Sequence, residues 1–363
     1  MDICYHGCST SQSNAFVVAI GGLKLAEEVQ KNPLVSIVVA FYNVESCVHY
    51  CMKSLSSQSF DDYEVVCVDD GSTDNTGRLL DQYSSNPHVR VVHKSNGGLS
   101  DARNCGVLQS RGRYITFVDG DDIVAPHYLS SLVDAMQDRG DRMVIGIEET
   151  MPFSVTSDLD KVKWGDQRSP IFCSKRQVVE EILYDRIHPT ACAKLAPREV
   201  YLRHPFPVGC YYEEIKTVME FIDSLNSFVV LPTAIYGYIM RNGSITWSTN
   251  VSVNQLEQYQ SAAETITSDA LKMYPDLTEA AQYQKALLFT RMHSQLPLGT
   301  TLSQDVEEKD IEIRTALKQL MGEVKKNKNI PIVNKWRMQL LVNAPHLYDA
   351  IYAIYRKKIK GVQ

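Results

Sequence analysis

Between Pro33 and Ile147, apolar β-branched runs alternate with helix-patterned stretches at short intervals, and no other feature of the 363-residue chain restricts its fold as tightly. Leu34–Phe41 (LVSIVVAF) is almost continuously apolar, as a strand buried on both faces of a parallel sheet must be. Asn43 then caps a helix predicted from Val44 to about Ser57, with Val48, Met52 and Leu55 on one face. Tyr63–Asp69 reads as a second strand, followed by a helix from Ser72 or Thr73 to about Ser84. Val89–His93 is a third strand, and the glycine turn Gly97–Gly98 leads into a helix from Ser100 to about Ser110. Arg113–Asp119 is a fourth strand, Pro126 suits the first turn of a helix ending near Gly140, and Met143–Ile147 is a fifth strand. This alternation specifies an α/β fold with a doubly wound, mostly parallel sheet, in which ligands bind outside the carboxyl ends of the strands.

Beyond Thr150 the pattern loosens. Ser174 with Gln177 forms a capping box for a helix to about Asp185. A helix is predicted over Glu213–Asn226, then two short strands, Phe228–Leu231 and Ile235–Met240. From about Val251 the chain reads as several helices interrupted by Pro275, Pro297, Pro331 and Pro345, so a mainly helical C-terminal region is expected over 246–363. Residues 1–32 read as a poorly ordered extension, with one helical turn around Lys24–Gln30.

The bulk properties exclude several classes. A net charge of −6 supplies no field to attract nucleic acid. Nine cysteines, an odd number, argue against a closed disulfide framework and fit a reducing cytoplasm. Cys47, Cys51 and Cys67 read as core residues rather than zinc ligands. No run of apolar residues is long enough to span a membrane, and Ala15–Gly22 is too short, with no basic residue before it, for a signal peptide.

The chemistry gathers at strand ends. Asp119-Gly120-Asp121-Asp122 puts three mutually repelling carboxylates directly after an apolar strand, a cluster that a cation would neutralise. Hard carboxylate oxygens suit Mg²⁺ or Mn²⁺, which bridge protein acids and diphosphate oxygens. The plainer alternative is a solvated turn capping the next helix, and Asp122 fits that role. Asp69-Asp70-Gly71-Ser72-Thr73-Asp74 closes the second strand in the same way, and alone would be a turn plus a helix cap. In Asn96-Gly97-Gly98-Leu99-Ser100-Asp101-Ala102-Arg103-Asn104 the glycines permit close backbone approach, and Arg103 either reaches a phosphate or is a solvated arginine beside a turn.

FYNVES, VDDGSTDNT, NGGLSDARNCG and VDGDD occur in this order, and together they resemble the inverting family 2 glycosyltransferases of the GT-A fold, over about residues 33–245. The resemblance implies a nucleotide-binding half (33–140), an acceptor-binding half (141–245) and a UDP-sugar donor of hexose or N-acetylhexosamine. It also implies roles for matching positions. The loop Phe41-Tyr42-Asn43 would wrap the base with Glu45 near it, and Asp70 would hydrogen-bond the uracil. Gly98 and Gly120 would lie against the nucleotide-sugar, with Arg103 by the diphosphate. Asp119 would approach the ribose, and Asp121, with Asp119, would hold Mn²⁺ or Mg²⁺. An inverting transfer needs one carboxylate to deprotonate the acceptor hydroxyl. Where the family has Glu-Asp, this chain has Glu213-Glu214, so Glu214 stands in place of an aspartate; favourable charge at a helix N-terminus is the alternative use of the pair.

Ala193-Lys194-Leu195 and Tyr238–Thr246 further resemble the capsular and exopolysaccharide branch, with Lys194 and Arg241 facing phosphates or an anionic acceptor, or each forming a structural ion pair. That branch implies a saccharide acceptor on a cell-surface polysaccharide or a polyprenyl-diphosphate-linked oligosaccharide; a homo-oligomer is a further partner expectation. In the tail, Leu347, Ile351, Ile354 and Tyr355 share a helical face ahead of Arg356, Lys357, Lys358 and Lys360. Residues 345–360 therefore fit either a helix lying on the inner face of an anionic membrane or one packed on the C-terminal bundle. Two rivals stand beside a transferase: a relative that binds a nucleotide-sugar or a partner without turnover, and a nucleotidyltransferase. The second would carry a glycine-rich basic loop where Phe41–Glu45 has neither glycine nor lysine.

Overall fold

Strand β1 (Val35–Phe41) has almost every side chain buried, so the sheet must continue on both of its sides and helices must cover both faces. In the computed structural model, which describes residues 32–241, 251–297 and 302–360 and side chains as far as 356, it does. After β1 come α1 (Val48–Ser56), β2 (Tyr63–Asp69), α2 (Thr76–Asp81), β3 (Val89–His93), α3 (Leu99–Gln109) and β4 (Tyr114–Asp119). β1 lies parallel between β2 and β4, with Val35 opposite both Tyr63 and Tyr114, and β3 extends the sheet beyond β2. All four strands therefore end along one edge of the sheet.

The chain then runs through β5 (Ile123–Val124), α4 (Tyr128–Met136), β6 (Arg142–Pro152), β7 (Ile171–Cys173), α5 (Lys175–Leu183), β8 (Lys194–Pro197), α6 (Arg198–Arg203), α7 (Glu213–Asp223) and β9 (Ser227–Met240). The sheet order is β3-β2-β1-β4-β8-β6-β9-β5, with β7 also paired to β9. Parallel pairing holds throughout the first half and between β6 and β9, whereas β8 is antiparallel to both β4 and β6. The four-residue β8 thus joins two parallel blocks.

Several local expectations are corrected. Asn43 does not cap α1. It adopts a left-handed conformation (φ 51°), and the helix begins four residues later than expected, after Cys47. The helix expected from Ser72 or Thr73 starts at Thr76, because Ser72 to Asn75 are used in side-chain contacts with the β1 loop. The two strands expected at 228–231 and 235–240 are one strand, β9. Pro232, which has no N–H to give a ladder, falls where β9 runs from Val230 to Ala234 while β6 advances only from Ile145 to Ile147, so the bulge in β9 absorbs it. The capping box at Ser174 and Gln177 is formed as expected. Cys47, Cys51 and Cys67 are fully buried core residues. The turn expected at Lys24–Gln30, and residues 242–246 of the terminal loop, lie outside the described residues.

The C-terminal segment consists of α8 (Val253–Met273), α9 (Thr278–Ser294), α10 (Gln304–Lys326), α11 (Ile332–Asn343) and α12 (Pro345–Lys360). None of the described helices is long and apolar enough to cross a membrane. Buried ions knit the bundle. His293 on α9 lies 2.6 Å from Asp310 of α10 and 3.0 Å from Asp349 of α12, and Arg314 reaches Asp310 at 2.7 Å. Burial opposes the charged imidazole, but the two carboxylates prevail and raise the His293 pKa above its ordinary value. The stability His293 contributes is therefore complete below about pH 6.5 and is lost as pH rises through the raised value. A His293→Gln variant is expected to lose about 3 kcal/mol by stranding buried acid. The loss read from thermal melts should be larger at pH 6 than at pH 9, and an equal loss at both would show that His293 acts through packing alone.

Candidate active site

The ends of β1 and β2 are laced together by side chains. Asn43 Oδ1 accepts from the backbone N–H and hydroxyl of Thr73, and the Asn43 N–H donates to Ser72 Oγ. Glu45 Oε2 accepts from both the backbone N–H and the side-chain amide of Asn75 at 3.0 and 2.9 Å, and the Glu45 N–H donates to Asp74 Oδ2. Phe41 is buried beneath this loop, whereas the ring of Tyr42 is about half exposed at its rim. The loop thus presents one half-exposed aromatic ring, suited to stacking a planar group.

Asp70 lies deeper than its expected role requires. It is 3 % exposed, with Oδ1 accepting from Lys94 Nζ (2.6 Å) and the Gly97 N–H (3.0 Å) and Oδ2 from the Gly98 N–H (2.8 Å). Its carboxylate holds the Gly97–Gly98 turn in place, and Gly98, at φ 87°, takes a conformation that side chains rarely adopt. A hydrogen bond from Asp70 to a base would have to exchange with one of these contacts.

At the end of β4 the acids separate into distinct environments. Gly120 passes directly over β1: a Cβ there would sit 2.4 Å from Phe41 Cδ1 and 2.8 Å from the Ala40 carbonyl oxygen, so only glycine fits. Asp122 is buried and structural. Its Oδ2 accepts from the Tyr236 hydroxyl at 2.6 Å and its Oδ1 from the Ile239 N–H at 2.8 Å, fastening β9 to the turn. Burial, then the neighbouring charges of Asp121 and Asp119, push its pKa well up. Asp121 faces Arg241 at 2.7 Å, and burial raises its pKa despite that guanidinium.

Arg103 differs most from expectation. Rather than facing a ligand, it is 1 % exposed. Its Nη2 binds Asp119 Oδ1 at 2.9 Å, and its Nη1 binds Glu213 Oε1 at 3.0 Å and Glu214 Oε1 at 2.7 Å. The guanidinium also lies over the rings of Phe206 (5.5 Å) and Phe117 (6.0 Å). Three carboxylates far apart in sequence thus converge on one buried cation, which orients them and leaves it no free fork for a phosphate. Glu213 is nearly as buried as Arg103. Glu214 is more accessible, with its side chain 22 % exposed. The Ala191 N–H donates to its Oε1 as well, so Oε2 carries no hydrogen bond among the described residues. Burial is the main cause that pushes the Glu214 pKa up to about 7, with Arg103 opposing and Glu213 and Asp119 reinforcing the shift.

Residues that sequence reasoning passed over support this arrangement. Tyr212, just before α7, has a left-handed backbone (φ 61°), donates its hydroxyl to Gln295 at 2.7 Å and meets Tyr259 edge-on at 4.3 Å. Helices α8 and α9 therefore hold the start of α7, where Glu213 and Glu214 stand. Tyr236 bridges the Asp119 N–H and Asp122. An aromatic residue in a strand pattern carries no signal of such use. Lys194 is buried, with Nζ donating to the neutral Thr190 Oγ1 and Cys192 carbonyl, and burial lowers its pKa; the structural ion pair is seen instead at Arg241, with Asp121.

A divalent cation fits the donor chemistry in one specific way. Among the described residues no three or more His, Cys, Asp or Glu side chains are arranged to hold a metal unaided. Among the described residues, Asp119, Glu213 and Glu214 nevertheless share the Arg103 guanidinium and Asp121 faces Arg241, while Asp122 beside them has no cationic partner. Burial is the first cause of the raised pKa values of Asp121 and Asp122, and the charge of the neighbouring aspartates adds to both. Such a site suits an ion taking one or two carboxylates here and its remaining ligands from a phosphorylated substrate.

Comparison with known proteins bears on the family and the fold. The family described as Glycosyl transferase family 2 matches residues 36–168. Glycosyltransferase GlyG of Streptococcus pneumoniae serotype 4 is 30 % identical over 225 residues, covering 58 % of this chain and 72 % of GlyG. Two other curated relatives match over stretches that make up only 30 % and 33 % of their own length. Among solved structures, residues 1–349 of S. aureus TarS in complex with UDP-GlcNAc superpose with a TM-score of 0.59 at 18 % identity, covering 90 % of this chain and 92 % of that one. Mannosyltransferase PcManGT from Pyrobaculum calidifontis, in complex with GDP-Man and Mn²⁺, gives a TM-score of 0.52 at 14 % identity over 90 % and 87 % of the two chains. These two structures share the fold.

Proposed function

The chain belongs to the family 2 glycosyltransferases, and from that premise we propose that it moves a hexose or N-acetylhexosamine from a UDP-sugar, with inversion, to a hydroxyl of a cell-surface polysaccharide or lipid-linked oligosaccharide. The observation that carries this reading is the accessible Glu214 carboxylate, with a pKa near 7 and Oε1 fixed by Arg103 and Ala191. A group half-ionised at neutral pH is well matched to take a proton from an acceptor hydroxyl. In this reading Glu214 Oε2 receives that proton. Arg103 is a positioning residue that holds Glu214, Glu213 and Asp119 in register. Tyr42 stacks on the base, the Phe41–Glu45 loop frames it, and Asp119 contacts the ribose. Asp121, with Asp119, would hold Mn²⁺ or Mg²⁺, which when bound offsets the charge of the departing diphosphate. Support for the uridine nucleotide comes from the UDP-GlcNAc complex of TarS, a fold relative, and the GDP-Man complex of PcManGT makes guanosine the competing choice.

Calorimetric titration of the purified chain with UDP, GDP and CDP, each with and without Mn²⁺, tests the donor. UDP is expected to bind at least tenfold more tightly with the ion than without it, a difference of about 1.4 kcal/mol. Asp121→Ala should remove that metal-dependent increment while leaving the thermal melt near that of the parent. Unchanged UDP affinity with Mn²⁺ in the variant would reject the metal assignment. Absence of binding by any nucleotide would favour a relative without turnover.

A further inference from the structure

We propose that the hairpin of α11 and α12 is a docking surface for an anionic lipid bilayer. The sequence left two uses open for the tail helix, and the structure makes one side of it serve the bundle. Tyr348 is buried and hydrogen-bonds Ser294 at 2.6 Å, while Asp349 pairs with His293. The neighbouring stripe, Leu347, Ile351, Ile354 and Tyr355, stays more than half exposed at every residue, although Tyr355 stacks on Tyr352. Helix α11 adds a second bare set that the sequence pattern did not reveal: Ile332, Val333 and Trp336 are 65, 70 and 69 % exposed. The Arg337 guanidinium lies 5.9 Å from the Tyr348 ring centre and 5.6 Å from that of Tyr352. That register sets the first turns of α11 alongside the C-terminal half of α12. Seven large apolar side chains bared on one two-helix hairpin exceed the scattered exposure usual on a soluble surface.

Charge identifies the occupant. From residue 325 to the end the chain carries nine Lys and Arg and a single acid, Asp349, in a protein of net charge −6. Asp349 is consumed by His293, so the outward charge of this segment is basic. Lys325, Lys326 and Lys328 are exposed immediately before the bare turn of α11, and Lys335 reaches back to the Lys325 carbonyl at 3.0 Å. Tryptophan and aliphatic side chains flanked by lysines match the two attractions of a lipid interface: burial of apolar area at the acyl boundary and attraction to anionic headgroups. A second copy of this chain would bring like charge against like charge on this face. Such docking stands independently of which sugar is transferred, or whether one is.

The test is co-sedimentation of the full chain with vesicles of phosphatidylcholine alone and of phosphatidylcholine mixed with phosphatidylglycerol. Binding is expected only to the anionic vesicles, and should weaken as salt rises from about 0.1 M to about 1 M, where screening shortens from about 10 Å to 3 Å. Two double variants, Trp336→Ser with Ile354→Ser and Lys357→Gln with Lys358→Gln, should each lower binding by about tenfold or more. Both alter residues remote from the acid cluster, and an unchanged thermal melt and UDP titration would show that the fold and cleft are intact. Failure to bind anionic vesicles, or binding unaffected by the apolar pair, would overturn the proposal. So would a lipid-free dimer, seen by ultracentrifugation, that the same pair dissolves, because a second copy would then be the occupant.

Discussion

Glu214→Gln is expected to lower the turnover number by about 10²- to 10⁴-fold while leaving donor binding near that of the parent chain. The amide keeps the size of the carboxylate and can still meet the Ala191 N–H, but it cannot take the acceptor proton. In the parent, turnover should rise with pH up to about 7 and then level, because the active form of Glu214 is the ionised one and its pKa lies there. The same shift has the opposite sign for stability. A carboxyl whose folded pKa is raised favours the fold while protonated, so its ionisation costs stability as pH climbs from its ordinary value to about 7. Loss of the acidic limb in the pH profile of Glu214→Gln, together with a flatter stability curve over that window, would identify one group in both roles. Near-normal transfer by the variant would move the base elsewhere, and Glu213 would be the next to test. Glu214→Asp restores the residue usual in the family. It also draws the carboxylate back from Arg103 and Ala191 by more than about 1 Å, a displacement that can cost up to about 10²-fold in rate. The longer side chain at 214 is what lets one oxygen reach both partners.

Arg103→Met should be the most damaging single change to the fold. It strands Asp119, Glu213 and Glu214 around an apolar side chain. Removing one partner of a buried ionic cluster costs about 3–5 kcal/mol. The loss should shrink as pH falls toward the ordinary carboxylate range, since the stranded acids can then protonate. Arg103→Lys should recover little, because a single ammonium cannot present two nitrogens to three carboxylates. Adding Glu213→Gln to Arg103→Met should return part of the stability, and the double-mutant cycle reads the coupling directly. A melt of Arg103→Met close to that of the parent, with UDP binding lost, would instead place the guanidinium on the diphosphate, as the family resemblance had suggested.

The two halves of the molecule differed in how far their sequence could be read. β2 was legible to the residue because a strand buried on both faces leaves a long apolar run between polar turns, and β3, an edge strand with only Val89 buried, was legible from its β-branched residues between turns. The acid clusters were legible as a set, since they close strands that end on one edge. Burial was not. Asp70 stands in a polar loop and Arg103 on a polar helix, where solvent contact is the ordinary expectation, and only tertiary packing brings Lys94 to the first and three acids to the second. β8 escaped notice because four residues carry too little periodicity to register, and its partners lie more than forty residues away along the chain. β9 was split in two because Pro232 is a strand breaker unless it sits within a bulge, and that bulge exists only in the register of β9 against β6.

The place of β8 also has a consequence for synthesis of the chain. β4 is finished at Asp119, but the strand that seals its outer side begins only at Lys194. At roughly 5–20 residues per second, a nascent chain waits on the order of several seconds with that edge bare. During the interval Ile115 and Phe117 border unpaired backbone, which is the usual template for wrong pairing between chains. Arg103 meanwhile has Asp119 but not yet Glu213 or Glu214, so the first half must wait for α7 before its buried charge is balanced. Slow translation between 119 and 194 would lengthen that exposure and should lower the yield of soluble protein, whereas the same slowing after β9 should not.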